Sequence, residues 1–194
     1  MLKAIFPNNV YSVISPLNRS SLINIVERTN LKKEQYIRWH NENPLYNDDE
    51  GRNITVELLE EEELYEAILP SVYIFLKLLQ IEDEIDIKLN EIWRTTYKKG
   101  GWQELHDHTP DSDVSGVLFL DEPDEDSGKF FFFNKQLAEI PSSLRRLSNI
   151  PSCSCVNYRQ GDILFFPAHM LHGVTPHKSN KPRRTVSFNF KLVE

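Results

Sequence analysis

The stretch 161-GDILFFPAHMLHGVTP-176 decides the fold, because it holds a short apolar strand between two turn signals. Gly161 and Asp162 are typical of a turn. The run ILFFP has the length and the unbroken apolar character of a buried strand. The segment AHMLHGV then predicts a turn and the start of another strand, so this part of the chain predicts two consecutive strands.

Short strands of the same kind extend from this stretch through the second half of the chain. They are aromatic or β-branched, and turn residues bound each of them. The predicted strands cover residues 86–98, 114–120, 129–134, 153–158, 162–167 and 183–192. A series of this kind is typical of a sandwich, jelly roll or barrel.

The first half of the chain predicts helices. Apolar spacing predicts one helix over residues 19–29 and a second over 55–80, with a kink or restart at Pro70. The polar residues 30–55 predict a loop. We therefore expect a mainly β protein with N-terminal helices (α+β), in a single domain over 1–194. It would comprise a helical support region over 1–85 and a β core over 86–194. The apolar face of the second helix is expected to bury Leu58, Leu59, Leu64, Ala67, Ile68, Tyr73, Leu76 and Leu79.

Charge and composition argue against several classes of protein. The 194 residues are 40% hydrophobic and 26% charged, with a net charge of -7, which disfavours nucleic acid or an anionic membrane as a partner. The two cysteines, Cys153 and Cys155, cannot form a disulfide framework, which indicates a reducing compartment. The start of the chain lacks the apolar core of a signal peptide, and no apolar run reaches the roughly 20 residues that span a bilayer. We expect a soluble, cytoplasmic protein.

The stretch 102-WQELHDHTP-110 contains two histidines one residue apart. On an extended chain, His106 and His108 face the same side and could hold one metal ion, while Asp107 points away. A third ligand is then needed, and His172 is the candidate, because it lies where strand pairing resumes; His169 is expected at an exposed turn. The alternative is an ordinary solvated turn. The other histidines, His40 and His177, are expected at the surface.

The last predicted strand, 181-KPRRTVSFNF-190, carries polar side chains on alternate positions. Arg183, Thr185, Ser187 and Asn189 share one face, and the apolar residues lie on the other. A buried arginine beside hydroxyl groups is suited to bind a carboxylate, because the guanidinium offers two parallel donors. The alternative is a basic edge strand that faces solvent.

The order of these motifs resembles that of the Fe(II)- and 2-oxoglutarate-dependent oxygenases. The motifs are His-x-His, Ser-Gly-Val-Leu-Phe-Leu, Gly-Asp-Ile-Leu-Phe-Phe-Pro, His-Gly-Val and Pro-Arg-x-Thr-Val-Ser-Phe-Asn. They look most like one branch of that superfamily and, more distantly, like prolyl hydroxylases. The resemblance covers roughly residues 92–192. Each motif alone is weak, and the specificity lies in their order and spacing.

The resemblance implies a double-stranded β-helix, a jelly-roll or cupin-like form, that holds Fe(II) at one end. The implied iron ligands are His106, His172 and the group two residues after His106. The family usually has a carboxylate there, and this chain has His108. Either the site has three histidines, or Asp107, Asp111 or Asp113 supplies the carboxylate. We favour His108, because the branch that the chain most resembles also has a histidine at this position. A metal-poor or inactive relative is also compatible with this departure.

The resemblance also implies a binding site for the cosubstrate 2-oxoglutarate. Arg183 with Thr185 matches the pattern that binds its distal carboxylate, and Arg184 is the alternative if the strand is shifted by one residue. Tyr97 is similarly placed to a tyrosine that contacts 2-oxoglutarate in the hydroxylases. The implied activity is hydroxylation of an unidentified protein side chain or small molecule, with O2 as cosubstrate and ascorbate as a candidate reductant.

A different class of function fits the same histidines. A cupin-like metal protein could be an isomerase, a dioxygenase that does not use 2-oxoglutarate, or a non-catalytic binding module. The position of Arg183 distinguishes the two: inside the barrel it favours 2-oxoglutarate, and facing solvent it favours the cupin-like alternative. The helical half would support the barrel or form the surface of a homodimer.

Overall fold

Strands dominate the part of the chain that the computed structural model describes, which is residues 10–29, 54–59, 62–81, 85–138, 140–147 and 151–193. The strands are β1 (Ser12–Ile14), β2 (Ile54–Leu58), β3 (Asp86–Tyr97), β4 (Gln103–His106), β5 (Val114–Phe119), β6 (Phe130–Phe133), β7 (Cys153–Cys155), β8 (Ile163–Pro167), β9 (His172–Val174) and β10 (Arg183–Val193). The α-helices are α1 (Arg19–Arg28), α2 (Glu62–Leu78) and α3 (Ser142–Leu147), and a 3-10 helix covers Lys135–Ala138.

The strands form two antiparallel sheets, as in a jelly roll. The larger sheet has the order β1-β8-β5-β10-β3-β2, and the smaller has the order β4-β9-β6-β7. In the larger sheet, β10 pairs with β5 on one side and β3 on the other. The prediction of a mainly β protein with N-terminal helices is confirmed. Two strands of the larger sheet, β1 and β2, come from the first half of the chain, so that half supplies sheet as well as helix.

Alternate residues of the larger sheet pack on opposite sides. On β8, Ile163 and Phe165 pack against helices α1 and α2, while Leu164 and Phe166 pack towards the smaller sheet. Every one of these four side chains is fully buried. This explains why the run ILFFP has no polar position: both faces of β8 are covered.

The helix predicted over residues 55–80 begins later than expected. Residues Ile54–Leu58 form strand β2, which pairs with β3, and the helix covers Glu62–Leu78. The β-branched residues Thr55 and Val56 favour a strand when a partner strand is available, which the helical spacing alone could not indicate. The helix continues through Pro70, and its residue Tyr73, predicted as buried, is 42% exposed.

His177 is buried rather than at the surface, which corrects the prediction. Its Nδ1 accepts a hydrogen bond from the backbone N–H of Gly128 (3.1 Å), and its Nε2 donates to the carbonyl of Lys181 (2.6 Å). Main-chain partners of this kind leave no signal in the sequence. His40 lies outside the described residues.

Within the described ranges, no helix is both long enough and apolar enough to cross a membrane.

Candidate metal centre

Three histidines lie close together beside the paired strands β4 and β9 of the smaller sheet. His106 ends β4 and His172 begins β9, and the two are direct cross-strand partners. His108 follows two residues later, where its backbone N–H donates to the carbonyl of Ala168 (2.9 Å). One ring nitrogen from each histidine lies within 4.8 Å of the other two. Nitrogen ligands of a single ion are separated by about 3–4 Å, so small shifts would close this site around a metal.

Each imidazole is oriented by a hydrogen bond at Nδ1. His106 Nδ1 lies 2.9 Å from the carbonyl of Glu104, and His172 Nδ1 lies 2.8 Å from the carbonyl of Met170. His108 Nδ1 lies 2.5 Å from the side-chain oxygen Oδ1 of Asn189. An oxygen acceptor fixes the proton on Nδ1, so the lone pair of each ring is on Nε2. Metal-binding histidines usually have this arrangement.

The environment keeps all three rings neutral. Burial, together with the neighbouring His106, lowers the pKa of His108 to about 4. Burial also lowers the pKa of His106 and places that of His172 well below its ordinary value. Aromatic rings account for the dry surroundings of His172, whose centroid lies 5.3 Å from that of Phe130 and 4.8 Å from that of Phe166. A neutral imidazole is the form that binds a metal.

Within the described part of the chain, no carboxylate belongs to this cluster. Asp107 points away from it, as predicted, and accepts hydrogen bonds from Lys135 Nζ (2.6 Å) and from the Thr109 hydroxyl (2.7 Å). Burial alone would raise the pKa of Asp107, but these hydrogen bonds outweigh it and lower the pKa. Asp113 accepts from Lys191 Nζ (3.1 Å) and the backbone N–H of Leu192 (2.9 Å).

Arg183 lines the same pocket as the three histidines. Its side chain is 3% exposed, and its guanidinium carbon lies 4.9 Å from the centroid of the Tyr97 ring. Nε donates to the Tyr158 hydroxyl (3.3 Å). Among the described residues, neither terminal nitrogen of Arg183 has a hydrogen-bond partner. A buried cation with two free donors is costly to the protein alone and is suited to bind an anion.

Arg184 lies on the opposite face of β10 and is already paired. Its Nη2 lies 2.7 Å from Asp121 and its Nη1 lies 2.6 Å from Glu27. The pocket therefore contains Arg183 and not Arg184. Thr185 and Ser187 also line it, so the alternation predicted for this strand is the one observed.

Tyr97 lies in the pocket with its hydroxyl group engaged. The hydroxyl donates to Gln103 Oε1 (2.6 Å), and Gln103 Nε2 lies 3.4 Å from Nε2 of His106. Burial raises the pKa of Tyr97 to about 12, so the hydroxyl is a neutral donor.

The sequence did not single out Gln103, because residues three apart on a regular strand face opposite sides. The register of β4 against β9 shifts between Gln103 and His106, and both side chains reach the pocket. Ser115, which hydrogen-bonds to Nδ1 of His108 (2.9 Å), was also missed. Its place on the inner face of β5 is visible from the alternation of that strand.

A family model described as "Putative 2OG-Fe(II) oxygenase" matches residues 91–189, just over half of the chain. The chain belongs to the 2OG-Fe(II) oxygenase family. The oxygenase is therefore an enzyme of a family that uses Fe(II) and 2-oxoglutarate, as the motif order predicted. No curated protein matches its sequence significantly.

Several solved structures share the fold of the oxygenase. A 2OG-Fe(II) oxygenase family oxidoreductase from Burkholderia pseudomallei has a TM-score of 0.61 at 11% identity, over 93% of this chain and 84% of that one. The collagen prolyl hydroxylase of Paramecium bursaria Chlorella virus-1 has a TM-score of 0.58 at 15% identity, over 96% and 98%. A prolyl-4-hydroxylase from Pseudomonas putida has a TM-score of 0.55 at 18% identity, over 94% and 92%. The predicted double-stranded β-helix is confirmed.

Proposed function

We propose that this oxygenase is a hydroxylase that binds Fe(II) through His106, His108 and His172 and binds 2-oxoglutarate against Arg183. Its substrate would be a protein side chain or a small molecule. The observation that carries the proposal is the pair of unpartnered terminal nitrogens of Arg183, buried in the pocket of the three histidines.

The charge of Arg183 explains why a ligand with a carboxylate group is expected. The guanidinium lies among the rings of Tyr97, Phe119 and Tyr158, at 4.9, 5.8 and 6.0 Å from their centroids. The rings confine it and contribute no full negative charge. A carboxylate would form two parallel hydrogen bonds with the free nitrogens, and Thr185 on the same face would add a third donor.

Tyr97 and Gln103 would orient the other end of the cosubstrate. Gln103 Nε2 lies 3.4 Å from Nε2 of His106, the nitrogen that would bind the metal. The side-chain amide of Gln103 can therefore donate to an oxygen atom bound near the metal. Tyr97 holds Gln103 in that position through its own hydroxyl. Fixed donors that need no reorganisation bind a charged ligand more effectively than mobile ones.

Iron and 2-oxoglutarate, when bound, would supply the oxidation itself: the substrate C–H bond becomes C–OH, O2 is consumed, and 2-oxoglutarate becomes succinate and carbon dioxide. The protein needs no general base for this reaction. The protein holds the ligands and excludes water. The apolar rings of Phe130 and Phe166, which pack against His172, form the part of the pocket that excludes water.

Anaerobic visible spectroscopy tests the proposal. Metal-free protein would receive Fe(II) and then 2-oxoglutarate, and a weak charge-transfer band is expected only when both are present. His172→Ala should abolish the band, and Arg183→Ala should weaken it at a fixed 2-oxoglutarate concentration. Arg184→Ala is the matched control, because the neighbouring arginine faces away from the pocket, and its band should match that of the wild type.

One observation favours the cupin-like alternative: the cluster consists of three neutral histidines, with no carboxylate among the described residues. If calorimetry shows that metal binds but 2-oxoglutarate produces no band, the assignment of 2-oxoglutarate as cosubstrate is wrong. The cupin-like alternative is then favoured. If wild type and Arg183→Ala give the same band over a titration of 2-oxoglutarate, Arg183 is not its anchor.

A further inference from the structure

His108 occupies a position where the superfamily usually has a carboxylate, and among the three histidines of the cluster it alone hydrogen-bonds to side chains through Nδ1. His106 and His172 each use the carbonyl two residues before them, which no substitution removes. His108 instead uses Asn189 Oδ1 (2.5 Å) and Ser115 Oγ (2.9 Å). Its orientation therefore depends on the identity of two other residues.

Ser115 and Asn189 form a prearranged pair beneath His108. They are direct cross-strand partners on β5 and β10, and they are 1% and 4% exposed. The Ser115 hydroxyl donates to Asn189 Oδ1 (2.8 Å). Ser115 Oγ is then free to accept from the ring, as is Asn189 Oδ1, so both present acceptor oxygens to His108.

This arrangement fixes which ring nitrogen can bind a metal. A neutral imidazole has one N–H, and two oxygen acceptors at Nδ1 require the proton to be there. The lone pair is then on Nε2, which faces the other two histidines. If Asn189 presented its NH2 group instead, the proton would move to Nε2 and the ring could not bind a metal through it.

We propose that Asn189 and Ser115 are the positioning residues that make His108 a metal ligand in place of a carboxylate. The inference rests on the proposed function in that it takes the three histidines as the metal site. The inference goes beyond the proposed function because it assigns the selection of the His108 tautomer to a named pair of side chains. An imidazole reaches further than an aspartate from the same backbone position, and the polar pair provides acceptors for Nδ1, the ring nitrogen nearer the backbone.

The first measurement is the tautomer of His108 in the full-length, chelator-treated protein. Long-range proton–nitrogen NMR correlation spectra distinguish a ring protonated at Nδ1 from one protonated at Nε2. The wild type should show His106, His108 and His172 all protonated at Nδ1. In Asn189→Leu, His108 should lose this preference. His106 and His172 should keep it, because their carbonyl partners remain, and they serve as internal controls.

The second measurement is the affinity for Co(II), followed by its visible absorption. Outer hydrogen-bond partners typically change metal affinity by about 10–100-fold, and Asn189→Leu should weaken binding by that factor. Asn189→Asp keeps an acceptor oxygen and should bind at least as tightly as the wild type. Ser115→Ala should weaken binding by a smaller factor, roughly 3–10-fold. Ser71→Ala, an equally buried serine on α2, should leave the affinity unchanged.

Each outcome decides the inference. A wild-type His108 protonated at Nε2 would overturn it. So would Asn189→Leu with the wild-type tautomer and wild-type Co(II) affinity. If Asn189→Leu does not fold, Ser115→Ala and Asn189→Asp decide: equal Co(II) affinities for Ser115→Ala and Ser71→Ala would overturn the inference, and weaker binding by Ser115→Ala alone would support it. If the wild type has the expected tautomer but binds no Co(II), Asn189 and Ser115 still select the tautomer of His108, and the metal site of the proposed function fails.

Discussion

The two faces of β10, in the middle of the six-stranded sheet, are both largely buried and differ in chemistry. On β10, the face towards α1 and α2 carries Val186, Phe188 and Phe190, each 0% exposed. The face towards the smaller sheet carries Arg183, Thr185, Ser187 and Asn189, of which Arg183, Thr185 and Asn189 are 2–4% exposed. One strand thus separates an apolar core from a polar site.

The contrast indicates where the stability of the oxygenase resides. Burying an apolar side chain contributes about 1.5–3 kcal/mol, whereas a buried polar group costs free energy unless it is hydrogen-bonded. Asn189 has such partners, and the terminal nitrogens of Arg183 have none among the described residues. We infer that the helix-facing core supplies the free energy that allows an unpaired cation on the other face.

The largest effect is expected from Phe188→Ala on the helix-facing side. The Phe188 ring packs over Gly116 so closely that a β-carbon there would lie 2.0 Å from it, so little can move in to fill the space. The free energy of unfolding, measured by urea denaturation, should fall by about 3–5 kcal/mol. A loss below about 1 kcal/mol would mean that this face is not the main source of stability.

Arg183→Met should have an effect of the opposite sign. It removes a buried charge with unpaired donors, so the ligand-free protein should gain about 1–3 kcal/mol in its free energy of unfolding. The same variant should lose its stabilisation by 2-oxoglutarate in thermal unfolding with metal present.

Arg184→Met is the matched control on the other face. Its guanidinium pairs with Asp121 and Glu27, so the control should lose about 1 kcal/mol and keep the response to 2-oxoglutarate. If both arginine variants were destabilised equally, the free nitrogens of Arg183 would have partners in solution, and the contrast between the faces would weaken.

Much of the fold could be predicted because alternation along a strand is a local property. The two faces of β10 and the double burial of β8 follow from the sequence of each strand alone. The start of α2 could not be predicted, because the preceding residues form strand β2 only where β3 provides a partner strand. The burial of His177 depends on main-chain groups from distant loops, which no local pattern encodes.

The candidate site divides in the same way. The sequence pointed to His106, His108 and His172 and to Arg183, and the structure brings all four to one pocket; their roles stay predictions. The choice between Arg183 and Arg184 required the strand register. Gln103 became visible only through the register shift in β4, and Tyr158 only because its loop returns to Arg183.

The smallest structural changes exchange a hydroxyl and a methyl group on the two faces of the sheet. Thr185 and Val186 are adjacent, nearly equal in shape and equally buried, but they face opposite sides. Val186→Thr places a hydroxyl in the apolar core and should cost about 1–3 kcal/mol in the free energy of unfolding. Thr185→Val should change that free energy by less than about 1 kcal/mol and weaken 2-oxoglutarate binding roughly 3–10-fold, through one lost hydrogen bond. Because one substitution is the reverse of the other, unfolding measurements and 2-oxoglutarate titrations on both variants distinguish the contributions of the two faces to stability and to binding. Equal stability losses would show that β10 does not divide a stabilising face from a binding face.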